Sequence, residues 1–199
     1  QLPSLKPRNK AAKTFLADDS IEGWAEAFDV LFSSFFVSNG KHPEYAQHPV
    51  FIDLKNIRPK GAMISGGFKA PGPEPLRKAL DHVEVILNKV ANEKRKLKSI
   101  EAYDCCMHMA DAVISGGVRR SATICLFSKD DEDMIKAKTG DWFISNPQRG
   151  RSNNSAMLLR NETSFEEFQK IMESVQHSGE PGFIWTDNLE FTYNPCVNI

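Results

Sequence analysis

The sequence lacks an excess of either charge: 25 Lys and Arg stand against 26 Asp and Glu in 199 residues, a formal net charge of −1. No global cationic field is available to gather nucleic acid, so no nucleic-acid partner is expected. Long hydrophobic runs are missing too. The apolar stretches fall far short of the roughly 18 residues that span a bilayer, which removes a membrane partner, and no secretory signal with an apolar centre is present. Cysteine is scarce, at four residues, and no C-x-x-C pair occurs. The five histidines, His42, His48, His82, His108 and His177, are scattered, so neither a zinc-type cluster nor a disulfide framework is expected. A reducing, cytoplasmic setting follows. There is no starting Met, and Asn194 to Ile199 do not read as a terminus, so the chain is expected to be part of a longer protein.

What is present is globular, with 41% apolar and 10% aromatic residues. Residues 1–17, carrying Pro3, Pro7 and several cations, are expected to be an irregular lead-in, with a single domain from residue 18 to 199. Ser20 is a good N-cap for a helix in which Ile21, Trp24, Phe28, Leu31 and Phe35 recur at helical spacing, ending near Asn39-Gly40. Pro49 to Leu54 reads as a buried strand. From Arg58 to Pro75 the chain is Gly- and Pro-rich, and such a long irregular segment is usually functional or mobile. Helices are predicted over 74–92 and 99–114, joined by the basic turn Lys94 to Lys98, which suits a helix C-terminus. Arg120 to Phe127 and Asn154 to Leu159 read as strands, with a short acidic helix over 130–138 between them. A helix over 163–176 is expected to bury Phe165, Phe168, Ile171, Met172 and Val175, and Asn161 in its sequon Asn161-Glu162-Thr163 reads as an N-cap. Gly182 to Trp185 is a further strand. Strands separated by helices of this length pair in parallel, which makes the fold class α/β.

Three segments carry chemistry-bearing residues. In Ser115-Gly116-Gly117-Val118-Arg119-Arg120-Ser121-Ala122 two glycines let backbone approach a ligand and two guanidiniums can hold phosphate, although a helix-to-strand turn with exposed arginines would read the same way. Asn146 to Ser155 is dense in hydrogen-bond donors, beyond what turns and caps usually use. Cys196 follows Asn194-Pro195, which favours a thiol presented on a loop.

Asp19-Ser20-Ile21-Glu22-Gly23-Trp24, Ile52-Asp53-Leu54 with Ile57-Arg58-Pro59-Lys60-Gly61-Ala62, Gly72-Pro73-Glu74-Pro75-Leu76, Ser115 to Ala122, Ser152 to Ser155, Gly179-Glu180-Pro181-Gly182 and Asn194-Pro195-Cys196 occur in an order that resembles the large catalytic chain of ribonucleotide reductases. The likeness is closest to class II, the adenosylcobalamin-dependent reductases, and among these to the monomeric ribonucleoside-triphosphate type. It covers nearly all of the chain from Asp18. The resemblance implies the first half of a ten-stranded α/β barrel, ending at the finger loop in its centre. It implies conversion of ribonucleotides to deoxyribonucleotides, with adenosylcobalamin as cofactor, a dNTP effector and a thioredoxin-like dithiol reductant.

By that resemblance Cys196 is similar to the cysteine whose thiyl radical abstracts hydrogen from the substrate ribose, and Asn194 to the asparagine that hydrogen-bonds the ribose. Ser115, Gly116, Gly117, Val118, Arg119, Arg120 and Ser121 resemble the loop linking effector to base pocket. Lys60, Gly66, Gly67 and Lys69 belong to the companion loop, and Asp19, Ser20 and Arg58 are similar to effector-contacting positions. Asn153, Asn154 and Ser155 are candidate substrate contacts. The cobalamin-binding elements and the redox cysteine pair are expected outside this chain, leaving Cys105, Cys106 and Cys125 as packing cysteines. One position departs from the pattern Asn-x-Cys-x-Glu: Asn198 stands where the acid/base glutamate is expected, and an amide cannot exchange that proton at neutral pH. A diverged copy, a non-catalytic nucleotide-binding module and a junction with an intein that begins at Cys196 all accommodate it.

Overall fold

A computed structural model of the chain describes residues 4–37, 40–115, 118–119 and 122–194. Its first strand, β1 (Lys13–Leu16), lies within the lead-in expected to be irregular. It pairs in parallel with β2 (Val50–Asp53), Thr14 opposite Phe51 and Phe15 opposite Ile52. Four residues in a Lys- and Pro-rich setting carry little pattern of their own, so a distant partner decides their state.

Helix α1 (Ile21–Ser34) supplies the crossover that parallel pairing requires. The Ser20 hydroxyl accepts a hydrogen bond from the Gly23 N–H at 2.9 Å and caps it. A β-carbon on Gly23 would stand 2.4 Å from the Asp18 carbonyl oxygen, so the tight entry into the helix requires glycine there. The helix stops at Ser34, short of the expected Asn39-Gly40. The Ser34 carbonyl accepts the Gln47 N–H at 2.8 Å and the Phe35 carbonyl accepts the Lys6 N–H at 2.9 Å. These non-local donors take carbonyls at the helix end and fix where it terminates.

Helices α2 (Glu74–Asn92) and α3 (Ser99–Ala112) lie close to their expected spans and pack on each other. Leu76, Leu80, Val83, Leu87 and Val90 of α2 join Val30 and Leu31 of α1, Phe35, and Ile52 of β2 in one continuous core. Part of the Gly- and Pro-rich stretch is ordered into an antiparallel hairpin, β3 (Met63–Ile64) and β4 (Phe68–Lys69), turning through Gly66 and Gly67 at positive φ. A second short hairpin, β5 (Ile114–Ser115) and β6 (Val118–Arg119), follows α3 directly.

The remaining strands, β7 (Thr123–Ser128), β8 (Ser152–Leu159) and β9 (Gly182–Thr186), form a parallel sheet in the order β7-β8-β9. The acidic helix expected over 130–138 contracts to one turn, α4 (Glu132–Ile135), and a second turn, α5 (Trp142–Ser145), precedes β8. Helix α6 (Phe165–Ser178) is capped by Ser164 and not by Asn161. Ser164 and Glu167 bond each other's backbone N–H reciprocally, a capping box that outcompetes the upstream amide. Its apolar stripe is only partly covered: Ile171 is fully buried, whereas Phe165 is 74% exposed. Three strands are too narrow a sheet to cover the whole stripe, and Phe168 instead meets Phe183 and Trp185 of β9 at ring-centroid distances of 5.1 and 5.5 Å.

The chain forms two compact units, residues 1–120 and 121–199, where one domain from residue 18 was the expectation. Among the described residues no helix is long and apolar enough to cross a membrane.

Candidate functional site

A cavity of about 540 Å³ opens in the first unit where the start of α1, the loop after β2 and the end of α3 converge. Ile21, Trp24 and Phe28 from α1, Ile57 and Ile64 from the loop, and Met109, Ala112 and Val113 from the α3 end give it apolar walls. Asp19, Ser20 and Arg58 supply its polar residues. Arg58 donates from Nε to the Asp19 carboxylate at 2.5 Å, and a second nitrogen reaches the Asp19 carbonyl at 3.5 Å. A charge-assisted contact of this kind anchors the guanidinium at the N-terminal end of α1. The first-turn N–H groups there carry the positive end of the helix dipole, so cation and helix terminus favour an anion together.

The loop wall is held by its own backbone. Gly61 donates its N–H to the Ala70 carbonyl at 2.9 Å, and Ala70 donates to the Ala62 carbonyl at 2.7 Å. Gly72 has φ of +79°, and a β-carbon there would stand 2.9 Å from the Lys60 backbone nitrogen. Lys60 therefore sits beside the cavity wall, while Gly66, Gly67 and Lys69 occupy the exposed hairpin beyond it. The β5–β6 hairpin begins one residue after Val113, so Ser115, Val118 and Arg119 continue from the wall along the chain. Gly116, Gly117, Arg120 and Ser121 lie outside the described residues.

Asp19, Ser20 and Arg58, expected from the resemblance at effector-contacting positions, are among the residues that line this cavity, and the apolar walls carry no such expectation. Phe28 belongs to the core and Trp24 packs against it, as their helical spacing predicts, and both also line the cavity, because a stripe facing a cavity and a stripe facing a neighbour have the same periodicity. Ile21, read as part of that stripe, is 86% exposed. Met109 and Val113 carry no signal short of the tertiary packing.

In the second unit Asn154 and Ser155 of β8 are buried and Asn153 is exposed. The Asn154 side-chain Oδ1 accepts from the Ser152 hydroxyl at 2.7 Å, and its buried Nδ2 has no partner among the described residues. Nearby, the Lys138 ammonium is buried and donates to the Ser152 carbonyl at 2.6 Å and the Glu180 carboxylate at 2.9 Å. Asn194 is exposed, and Cys196 and Asn198 lie outside the described residues. Cys105, Cys106 and Cys125 are in no disulfide. Cys105 is buried and burial pushes its pKa up to about 12, as befits a packing residue, but Cys106 is exposed and only Cys125 is intermediate. Among the described residues no group of three or more metal-ligating side chains gathers.

No protein-family model matches the chain. It is 37% identical over 177 residues to the adenosylcobalamin-dependent ribonucleoside-triphosphate reductase of Lactobacillus gasseri, a match covering 88% of this chain and 22% of the relative. The enzyme of the same name from Lactobacillus leichmannii is 36% identical over 177 residues, with the same two coverages. A probable adenosylcobalamin-dependent ribonucleoside-triphosphate reductase of Dictyostelium discoideum is 32% identical over 181 residues. The crystal structure of a B12-dependent (class II) ribonucleotide reductase superimposes with a TM-score of 0.73 at 26% identity, covering 92% of this chain and 28% of that one. The chain therefore spans about a fifth of the length of the curated relatives it matches. By sequence and by α/β fold alike, it is a relative of one segment of the class II, adenosylcobalamin-dependent ribonucleotide reductases.

Proposed function

We propose that this chain is the part of an adenosylcobalamin-dependent ribonucleotide reductase that begins the catalytic barrel and binds the dNTP effector that governs substrate choice. The observation that carries the reading is the Asp19–Arg58 pair at the polar mouth of an otherwise apolar cavity. A guanidinium at a helix N-terminus suits a phosphate, and the Asp19 carboxylate is placed to accept from a sugar hydroxyl. Trp24 and the apolar walls offer a face for a base. At about 540 Å³ the cavity suits one nucleotide and is far too small for adenosylcobalamin. The residues here therefore do not fit that cofactor, and its site belongs elsewhere in a whole reductase.

In a complete enzyme the ribonucleotide and a thioredoxin-like reductant would be the further partners, with Cys196 as the hydrogen-abstracting thiol and Asn194 beside the ribose. Asn153, Asn154 and Ser155 are the substrate contacts of this reading, and the unpartnered Asn154 amide is a donor available to one. A cytoplasmic site of action accords with Cys105, Cys106 and Cys125 being in no disulfide.

Titration with dATP, dGTP and dTTP tests the effector reading. Binding is expected, weakened about tenfold or more by Arg58→Ala and by Asp19→Asn, a loss of about 1.4 kcal/mol or more per substitution. Absence of binding at millimolar nucleotide, or equal binding by both variants, overturns it. Catalysis is tested by placing residues 18–199 in the matching segment of the Lactobacillus leichmannii reductase. Ribonucleotide reduction is expected with Asn198→Glu and not without it, and a silent chimaera carrying the glutamate counts against the enzymatic role.

A further inference from the structure

Outside the cavity, two histidines from different helices meet. His82 of α2 and His108 of α3 approach with 3.2 Å between their Nδ1 atoms, their ring centroids 4.5 Å apart and their planes at 50°. Neither belongs to a motif and neither lines the cavity at the start of α1. We propose that this pair is a bidentate site for a divalent first-row transition cation, which would bridge α2 to α3.

The geometry supports chelation directly. Two imidazole nitrogens each about 2.0–2.1 Å from one ion, at a near-tetrahedral angle, stand about 3.3 Å apart. The observed 3.2 Å is that spacing, so an ion enters with little movement of either helix. Without metal the same spacing is a hydrogen bond in which one Nδ1 carries the proton and the other accepts it. Metal binding requires both Nδ1 lone pairs, so the donor ring moves its proton to Nε2, and the neutral pair releases no net proton. Water fills the remaining coordination positions, since no third ligating side chain completes a cluster among the described residues.

Asp104 and Asp111, one turn to either side of His108 on α3, bring negative potential to the same helix face, which favours a cation there. Two imidazoles and water select along the Irving–Williams series, so Cu²⁺, Ni²⁺ and Zn²⁺ are expected to bind and Mg²⁺ is not.

The test is titration of the full chain with Ni²⁺ and Zn²⁺ at neutral pH, read by calorimetry and by the thermal midpoint. Saturable one-to-one binding is expected, with a midpoint that rises with either metal and not with Mg²⁺. His82→Ala and His108→Ala should each weaken binding at least tenfold while leaving every thiol in place. Undiminished binding in both variants means other ligands, and overturns the site, as does absence of binding to the parent at millimolar metal. Histidine-selective ¹⁵N labelling of the parent provides a readout independent of any variant's folding. Zn²⁺ should shift the Nδ1 resonances of two of the five histidines, and any other pattern counts against the proposal.

Discussion

Lys138 illustrates how a single side chain ties one unit together. Its ammonium is 5% exposed, yet it satisfies both the Ser152 carbonyl and the Glu180 carboxylate, and it lies 5.7 Å from the centroid of the Trp142 ring. A buried charge that is fully paired is roughly neutral to stability, whereas removing one partner strands the other. Lys138→Ala is therefore expected to destabilise the second unit by about 3 kcal/mol, since Glu180 and the Ser152 carbonyl lose their donor together. Chemical denaturation of parent and variant measures this. Glu180→Gln keeps an acceptor for the ammonium and should cost markedly less, so equal losses in the two variants would show that packing, not pairing, is what Lys138 contributes.

At the scale of elements, the start of α3 depends on a three-residue arrangement that titrates. Glu101 accepts the Lys98 backbone N–H at 2.9 Å and holds both terminal nitrogens of Arg95, at 2.6 and 2.7 Å. The Arg95 hydrogen bonds, with help from the Lys98 N–H, hold the Glu101 carboxyl below its ordinary range. Because its folded pKa is depressed, the stabilisation is complete above the unfolded carboxylate value and is lost as pH falls through the folded one. Glu101→Gln should lower the thermal midpoint at neutral pH and have progressively less effect as pH drops toward that lower value; melting both proteins across the acid range reads the difference. The elements themselves were legible to different degrees, for local reasons. The extents of α2 and of β2 follow from periodicity and Pro punctuation that act within the segment. The end of α1 does not, because Gln47 and Lys6 decide it from elsewhere in the chain. Strand β1 and the cavity walls share that property, and so does the pairing of His82 with His108. Asp19, Ser20 and Arg58 were singled out through motif order, which records chemistry without recording what surrounds it.

For the whole molecule, the distribution of buried apolar residues is uneven, and a measurable order of unfolding follows. The continuous core joining α1, β2, α2 and α3 lies entirely in residues 1–120. The second unit buries Phe127, Met134, Ile135, Met157, Leu158 and Ile171 with two alanines, and leaves Phe165 at 74% and Phe183 at 38% exposure. A parallel sheet is ordinarily covered on both faces, so a three-stranded one with exposed aromatics has less apolar burial per ordered residue to offset its conformational entropy. Partial exposure is what a barrel segment implies, since the relatives are about three to four times as long. Stability scales with that burial, and local opening begins where it is least. Amide exchange should accordingly show β7, β8 and β9 opening at lower free energy than α2, and a hydrophobic dye should bind before α2 loses protection. Protection in β8 equal to that of Leu87 and Val90 in α2 would mean that the two units unfold as one, and that the smaller core is supported by more than its own buried residues.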